Sequence, residues 1–519
     1  MRKKEKTMNI MILVLGILIV TGLLILPERI KTYAKMQRLA NSKVVLYEGP
    51  KSIRDATEAD LEDVSEKGRD IALLHCTDTK LEVNEQECFV YDTNVNHTRQ
   101  WVNNYLPPMS RTPVAYFDFE GAVQIKLTIP DRDLSSVKVR PLSYNIRPEI
   151  DEKAHTVSFI VDTPDTYTVQ FGDSPERAVH IFANPLEKPE NIPDKNDPDV
   201  IYIEPGEWNI ESIMLRKGQT LYLAGGSVVH GIVNANFEKD IKVCGRGILD
   251  CSQLEGWQGL NASIPLKFDH CSNVEIKDII VLNPNAWACQ AYDSTDGVID
   301  GLKIITSRPN GDGISLQSCQ NYEVKNCFVR SWDDSLVVKN YDQNSSDIQF
   351  SNIQVWTDFA QSMEVGYETN KGNQSDASIK NVEFSDITVL NNFHKPVISV
   401  HNGDDALVEN IIFRGITVEH EEVGSGDVGD MAYLIDLNIM QNSNWSTTQE
   451  RGKIQNITIE DVNFLDGTLN ASRICGYDAE HKVENVTFKN LTILGKRVKS
   501  AQDGNFEIDD ETVSNIQFE

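Results

Sequence analysis

Three carboxylates stand where the sequence otherwise reads as buried strand. Asp312 lies in NGDGISL (310–316), and the adjacent pair Asp333 and Asp334 opens DDSLVVK (333–339). The Ile, Leu and Val residues around them are of the kind that fill cores. Crowded carboxylates oppose one another's ionisation, so at least one pKa must rise. A fold gains nothing from that repulsion, but proton transfer does. A protonated acid can donate to a departing oxygen while an ionised neighbour draws a proton from water. Hydrolysis of a glycosidic bond needs this pairing, and a gap wide enough for a water between the carboxyls gives inversion. Asp312 taken singly reads more simply as a corner residue, and the three together could also serve as a calcium site.

The elements that position them repeat. A short phrase recurs as DIKVCGRG (240–247), NVEIKDIIV (273–281), GVIDGLKII (297–305), NYEVKNCFV (321–329) and DIQFSNIQV (347–355). It returns as NVEFSDITV (381–389), NIIFRGITV (410–418), NITIEDVNF (456–464) and NVTFKNLTI (485–493). Each copy is a strand, a polar Asn, Asp or Gly bend, and another strand. The shortest intervals between copies are 24 residues, which fits one coil of a parallel β-helix. Longer intervals then hold loop insertions. The leucine pattern of a leucine-rich repeat is absent, and a propeller blade needs about 40 residues or more. Laying GDGISL over DDSLVV puts Asp312 above Asp334, one strand spacing of about 4.8 Å away. Asp333, next in the chain, is displaced sideways.

The sequence before the repeats has a different character. AYFDFEGAVQIKLTI (115–129), SVKVR (136–140), TVSFIV (156–161) and YTVQF (167–171) alternate with period two. The expectation is therefore an all-β protein: a β-sandwich over 40–184, a linker over 185–199 and a parallel β-helix over 200–519. The linker PLEKPENIPDKNDPD is rich in proline and charge. At the start, the basic stretch from Arg2 to Lys6 precedes an apolar run from Ile10 to Leu26. Residues 1–35 read as a signal peptide or an uncleaved signal anchor. This predicts an extracellular or cell-surface protein, with membrane attachment through the N-terminal helix left open.

A formal net charge of -29 argues against nucleic acid as a partner. Nine cysteines include no CxxC pair, so neither a structural zinc site nor another metal or cofactor is expected. Cys76 and Cys88 could form a disulfide; Cys244, Cys251, Cys271, Cys289, Cys319 and Cys327 read as small buried residues.

NGDGISL resembles the N-T-D-G segment of glycoside hydrolase family 28, the polygalacturonases, with Gly311 in place of Thr. DDSLVVK resembles that family's D-D-C-I-A-I-K segment at the same one-coil offset. The resemblance implies a right-handed parallel β-helix and an inverting hydrolase of polysaccharides or their oligosaccharides. It makes Asp333 the general acid, Asp312 and Asp334 the holders of the attacking water, and Asn310 and Lys339 sugar contacts. Two departures stand out. Gln361, in AQSMEVG (360–366), occupies the place of the family's G-H-G histidine, and no Arg-x-Lys is found in FHKPVISVHN (393–402). His394, Lys395 and His401 are the candidate replacements, the two histidines being equally readable as loop or core residues. Glu364 and Glu368 lie one coil beyond the aspartates and could bind sugar hydroxyls. Trp287, Trp332, Tyr341, Trp356, Phe359 and Tyr367 cluster in the same coils, where some could stack on sugars.

The segments FDFEGAVQIKLTI, SVKVRPLSYNI and the run to HIFANP resemble a second arrangement, that of family 49, the dextranases and isopullulanases. There a β-sandwich precedes the β-helix and the G-H-G histidine is lacking. That resemblance keeps a dextranase-like hydrolase of a neutral glycan as an alternative. A calcium-dependent lyase and a non-catalytic glycan-binding β-helix are the remaining ones.

Overall fold

The computed structural model describes residues 39, 41–56, 72–96, 110–172, 175–254, 263–422, 433–442 and 444–519. The leader expected over residues 1–35 lies outside them. Among the described residues no helix is long and apolar enough to cross a membrane.

The repeated phrase builds the corners of a coil. Its first Asn or Asp adopts left-handed backbone in copy after copy: Asp240, Asn273, Asp296, Asn321, Asp347, Asn381, Asn410, Asn456, Asn485 and Asn515. Asn and Asp tolerate this conformation because their short polar side chains bond locally. Here they also bond to the coil before. Asn273 Nδ2 donates to Asp240 Oδ1 at 2.8 Å, Asn381 to Asp347 at 2.9 Å and Asn515 to Asn485 at 2.7 Å. A second ladder marks the next corner, where Asn326 donates to Asp300 and Asn352 to Asn326, both at 2.7 Å. These bends turn one strand into the next at the surface, where water can complete the backbone bonding.

Between the corners the strands pair in parallel with the coils on either side, as a right-handed parallel β-helix. The first face contains strands Cys289–Tyr292, Ile314–Gln317, Leu336–Lys339, Met363–Tyr367 and Ile398–Asn402. Ile314 lies opposite Leu336, and Leu336 opposite Met363. The first strand of each phrase makes the second face, and its second strand, as in Ile280–Leu282, Lys303–Ile305 and Phe328–Ser331, the third. Inward residues stack into one core. The phenylalanine of successive phrases repeats its position: Phe350, Phe384 and Phe413 stack at 4.7 and 5.0 Å with rings tilted by 4°.

Ahead of the β-helix, two sheets of seven and five strands lie within residues 43–185. Their period-two strands, such as Val123–Thr128, bury alternate side chains. The sandwich covers the third face of the β-helix. Tyr91, Tyr116 and Phe182 pack with Ile280, Leu282, Ile305, Phe328, Trp356 and Leu390. Trp356 therefore belongs to this contact. Buried charges cross it. Arg140 meets Glu419 at 2.5 Å and Arg246 meets Asp118 at 3.1 Å. Arg330 holds Asp358 with two bonds of 2.9 and 3.2 Å and reaches Thr112 and His180 across the junction. Covering the third face leaves the corner ahead of the first face as the place where a cleft can form.

The disulfide that Cys76 and Cys88 could have formed is absent; both thiols are free and buried. Cys76 follows a strand of the seven-stranded sheet, whereas Cys88 ends a strand of the five-stranded one. Cys76 Sγ lies 3.1 Å from Asp78, while Cys88 Sγ faces the carbonyls of Phe89 and Tyr116 at 3.8 and 3.7 Å. The six cysteines read as buried residues are buried.

Burial pushes the Glu419 carboxyl up, opposed by Arg140. Replacing Arg140 with Ala leaves that carboxylate without its cation. The expected cost is about 3–5 kcal/mol, read as a lower denaturant midpoint, whereas a neutral midpoint would show the pair to be dispensable.

Candidate active site

Asp312, the Asp333–Asp334 pair, Gln361 and Lys395 each precede a first-face strand, at one corner of four successive coils. The offset that sets Ile314 opposite Leu336 also sets Asp312 opposite Asp334. Gly313 N–H donates to the Asp334 carbonyl at 2.8 Å, and Asp333 N–H to that of Gly311 at 3.2 Å. The glycine at 313 is required by this approach. A Cβ there would lie 2.3 Å from the Val329 side chain and 2.5 Å from the Ser335 carbonyl.

The three carboxyls differ in setting. Asp312 and Asp334 are 3% and 7% exposed, while Asp333 is half-buried. Asp333 accepts the N–H groups of Asn310 at 3.2 Å and Asp334 at 3.1 Å. Asp334 accepts the N–H of Gln361 at 3.0 Å. Burial, then the neighbouring Asp333 charge, pushes Asp312 well above the usual carboxylate range. The same causes push Asp334 up to about 7, with Glu364 adding to the effect. Burial raises Asp333 as well, opposed by Lys395 and Lys339. Groups this close titrate as a unit, so the trio retains protons toward neutral pH.

These residues line a cleft of about 340 Å³. Its wall includes Trp287, Asn310, Lys339, Phe359, Gln361, Tyr367, Glu368 and Lys395. Asn310 has left-handed backbone, and its side-chain oxygen is buried with no protein partner. Lys339 Nζ meets Glu368 at 3.1 Å, which in turn accepts the Tyr341 hydroxyl at 3.1 Å. Gln361 Nε2 donates to the Tyr367 hydroxyl at 3.2 Å.

Glu364, His394 and His401 lie beneath the wall, at 0%, 1% and 1% exposure. His394 stacks on Phe359 at 4.9 Å, and Phe359 packs at a tilt against the buried Trp332 at 4.6 Å. His401 stacks under Tyr367 at 4.4 Å. Its Nδ1 meets Glu364 at 2.9 Å and its Nε2 meets Asp436 at 3.0 Å. Arg473 completes the chain on Asp436 with bonds of 2.9 and 2.7 Å. Set against the cost of burial, Glu364 and Asp436 push His401 up to about 10. It is a charged support for Tyr367 rather than part of the cleft surface.

Sequence reasoning did not find Asn444 and Trp445, which also line the cleft. They arrive on the loop after strand Ile435–Ile439. Asp404 secures that loop by accepting the N–H groups of Thr447 and Thr448 at 2.7 and 3.0 Å. The signal was the longest interval between phrases, 46 residues from Asn410 to Asn456.

The family model for glycosyl hydrolases family 28 matches residues 239–515. The chain belongs to this family. Similar proteins include one described as "Probable endopolygalacturonase D" from Neosartorya fischeri, 25% identical over 230 residues, 44% of this chain and 43% of the relative. Another is described as "Probable polygalacturonase" from Vitis vinifera, 24% identical over 160 residues, 29% of this chain and 31% of the relative. Both matches span less than half of the relative's length. The solved structure of Dex49A from Penicillium minioluteum shares the fold, with a TM-score of 0.62 and 14% identity over 86% of this chain and 95% of that one. Within this family 28 chain, the matched residues contain every carboxylate of the cleft floor.

Asp334 supplies a test of the site's electrostatics. A carboxyl whose pKa is raised on folding contributes stability below its unfolded value, near 4, and that stability is lost as pH rises through about 7. Asp334→Asn removes the loss. The variant should melt higher than the parent at pH 8, by more than at pH 5; a difference independent of pH would contradict the assignment.

Proposed function

We propose that this chain is an inverting glycoside hydrolase of polysaccharides, polygalacturonase-like in its chemistry. The observation that carries this reading is the trio on the cleft floor: Asp312 and Asp334 on adjacent coils, with Asp333 beside them and closer to solvent. Asp333 reaches the cleft and is the proton donor to the leaving oxygen. Asp312 and Asp334 hold the attacking water and take its proton once the cluster has lost one of its own. Adjacent coils about 4.8 Å apart, with a third carboxyl offset sideways, suit a water between acid and base better than a covalent intermediate.

The cations suit a uronic sugar at the point of cleavage. Lys339 and Lys395 both line the cleft and offset the charge of the trio. Asn310 offers an unpartnered oxygen to a sugar hydroxyl. Trp287 and Trp445 offer aromatic faces for pyranose rings. The basic stretch and apolar run at the N-terminus support an exported protein acting outside the cell or at its surface.

The experiment is reducing-sugar release from polygalacturonate, rhamnogalacturonan, dextran, pullulan and a fructan, with the anomer of the first product followed by NMR. Release from polygalacturonate with an inverted product is expected, surviving chelator. Asp333→Asn should lower the rate by at least about a hundredfold. A retained anomer would overturn inversion, and full activity in the variant would overturn the acid assignment.

A further inference from the structure

A line of rings leaves the cleft along the corner that closes the first face. Tyr341, whose hydroxyl donates to the cleft-lining Glu368 at 3.1 Å, contacts Tyr292 with ring centroids 5.8 Å apart. Tyr292 contacts His270 at 5.8 Å, and His270 stacks on Phe237 at 4.4 Å. Exposure increases outward, from half-buried Tyr341 and Tyr292 through exposed His270 to Phe237 at 72%. Successive members lie one or two coils apart, so the row climbs the β-helix axis.

Phe237 is the member that packing explains least. Its φ is 55°, in the left-handed region that a bulky side chain avoids. The same corner in later coils is occupied by His270, Asp293 and Ser318 at φ 52°, 47° and 55°, residues of small or polar type. A phenylalanine held there, mostly in water, gains little from burial. Strain of this kind is retained where a side chain is needed.

Beside His270 and Tyr292 the charge is negative, while Lys371 Nζ lies 4.9 Å from the Tyr341 ring at the cleft end. Asp269 and Asp293 bracket the His270 ring at 2.6 and 2.9 Å, and Tyr292 donates its hydroxyl to Asp342. Carboxylates beside exposed rings accept bonds from sugar hydroxyls and repel anionic sugars, while ring faces suit the apolar faces of pyranoses. We propose that the row Phe237–His270–Tyr292–Tyr341 is an extended glycan track that holds an uncharged stretch of the polysaccharide running out of the cleft. The inference rests on the hydrolase reading of the cleft and adds the sugar class of the flanking chain. Continuity with the cleft through Tyr341 and Glu368 is what ties the occupant to the substrate rather than to another protein.

The test is affinity electrophoresis of the full chain carrying Asp333→Asn, through gels containing dextran, pullulan, galactan, arabinan or polygalacturonate. Retardation by a neutral polymer is expected. Adding Phe237→Ala should weaken it at least fivefold, and Phe237→Trp should restore it. Restoration by Trp separates ring stacking from a structural role. Equal retardation with Phe237→Ala, retardation by polygalacturonate alone, or none by any polymer would overturn the track. Sugar release by the chain with Asp333 intact is scored separately. No release by that chain, with ring-dependent binding retained, would sink the hydrolase reading and leave the track standing.

Discussion

Every functional position in this protein depends on one constraint, the parallel hydrogen-bond ladder that advances the chain by one strand spacing per coil. The ladder has no freedom to slip, because a shift by one residue would exchange inward Ile and Leu for outward Ser and Lys. It therefore fixes Asp312 over Asp334 with the same certainty as Ile314 over Leu336. The Asn and Asp corners supply the other half of the constraint. They turn each coil at the same place and bond it to the last, so that loops between them can lengthen without disturbing the stack.

The second consequence is a division of labour among the faces. The sandwich covers the third face with an apolar contact and several buried ion pairs. The corner ahead of the first face is free to become the cleft. Charge is concentrated there against its own tendency to disperse, and the surroundings set how far each carboxyl rises. Lys339 and Lys395 hold the trio's repulsion in check, while Glu364 increases it from beneath. His401, bracketed by Glu364 and Asp436, keeps that lower charge balanced and carries Tyr367 on its ring.

Much of this was legible in the chain. The phrase from Asp240 to Asn485 predicts coils, and the spacing of GDGISL and DDSLVV predicts that their aspartates meet, because both follow from local backbone preference repeated at a near-constant period. Less legible was which side of the surface a polar residue occupies. Glu364 and His401 sit on a first-face strand like Lys339 and look equally available, yet loops and neighbouring coils bury them fully. Whether Cys76 and Cys88 pair was open for a related reason: nearness along the chain says nothing about where two thiols point.

The all-β class, the coil and its corners, and the alignment of the three carboxylates follow from short-range patterning along the chain. The walls and the energetics of the cleft come from contacts between residues far apart in the chain. Trp445 reaches it from an insertion more than a hundred residues after Asp333, carried on a loop that Asp404 secures. The elevation of Asp312 and Asp334 likewise needs burial by residues from several coils. Desolvation and long-range contact are sums over neighbours in space, and a linear pattern does not list them.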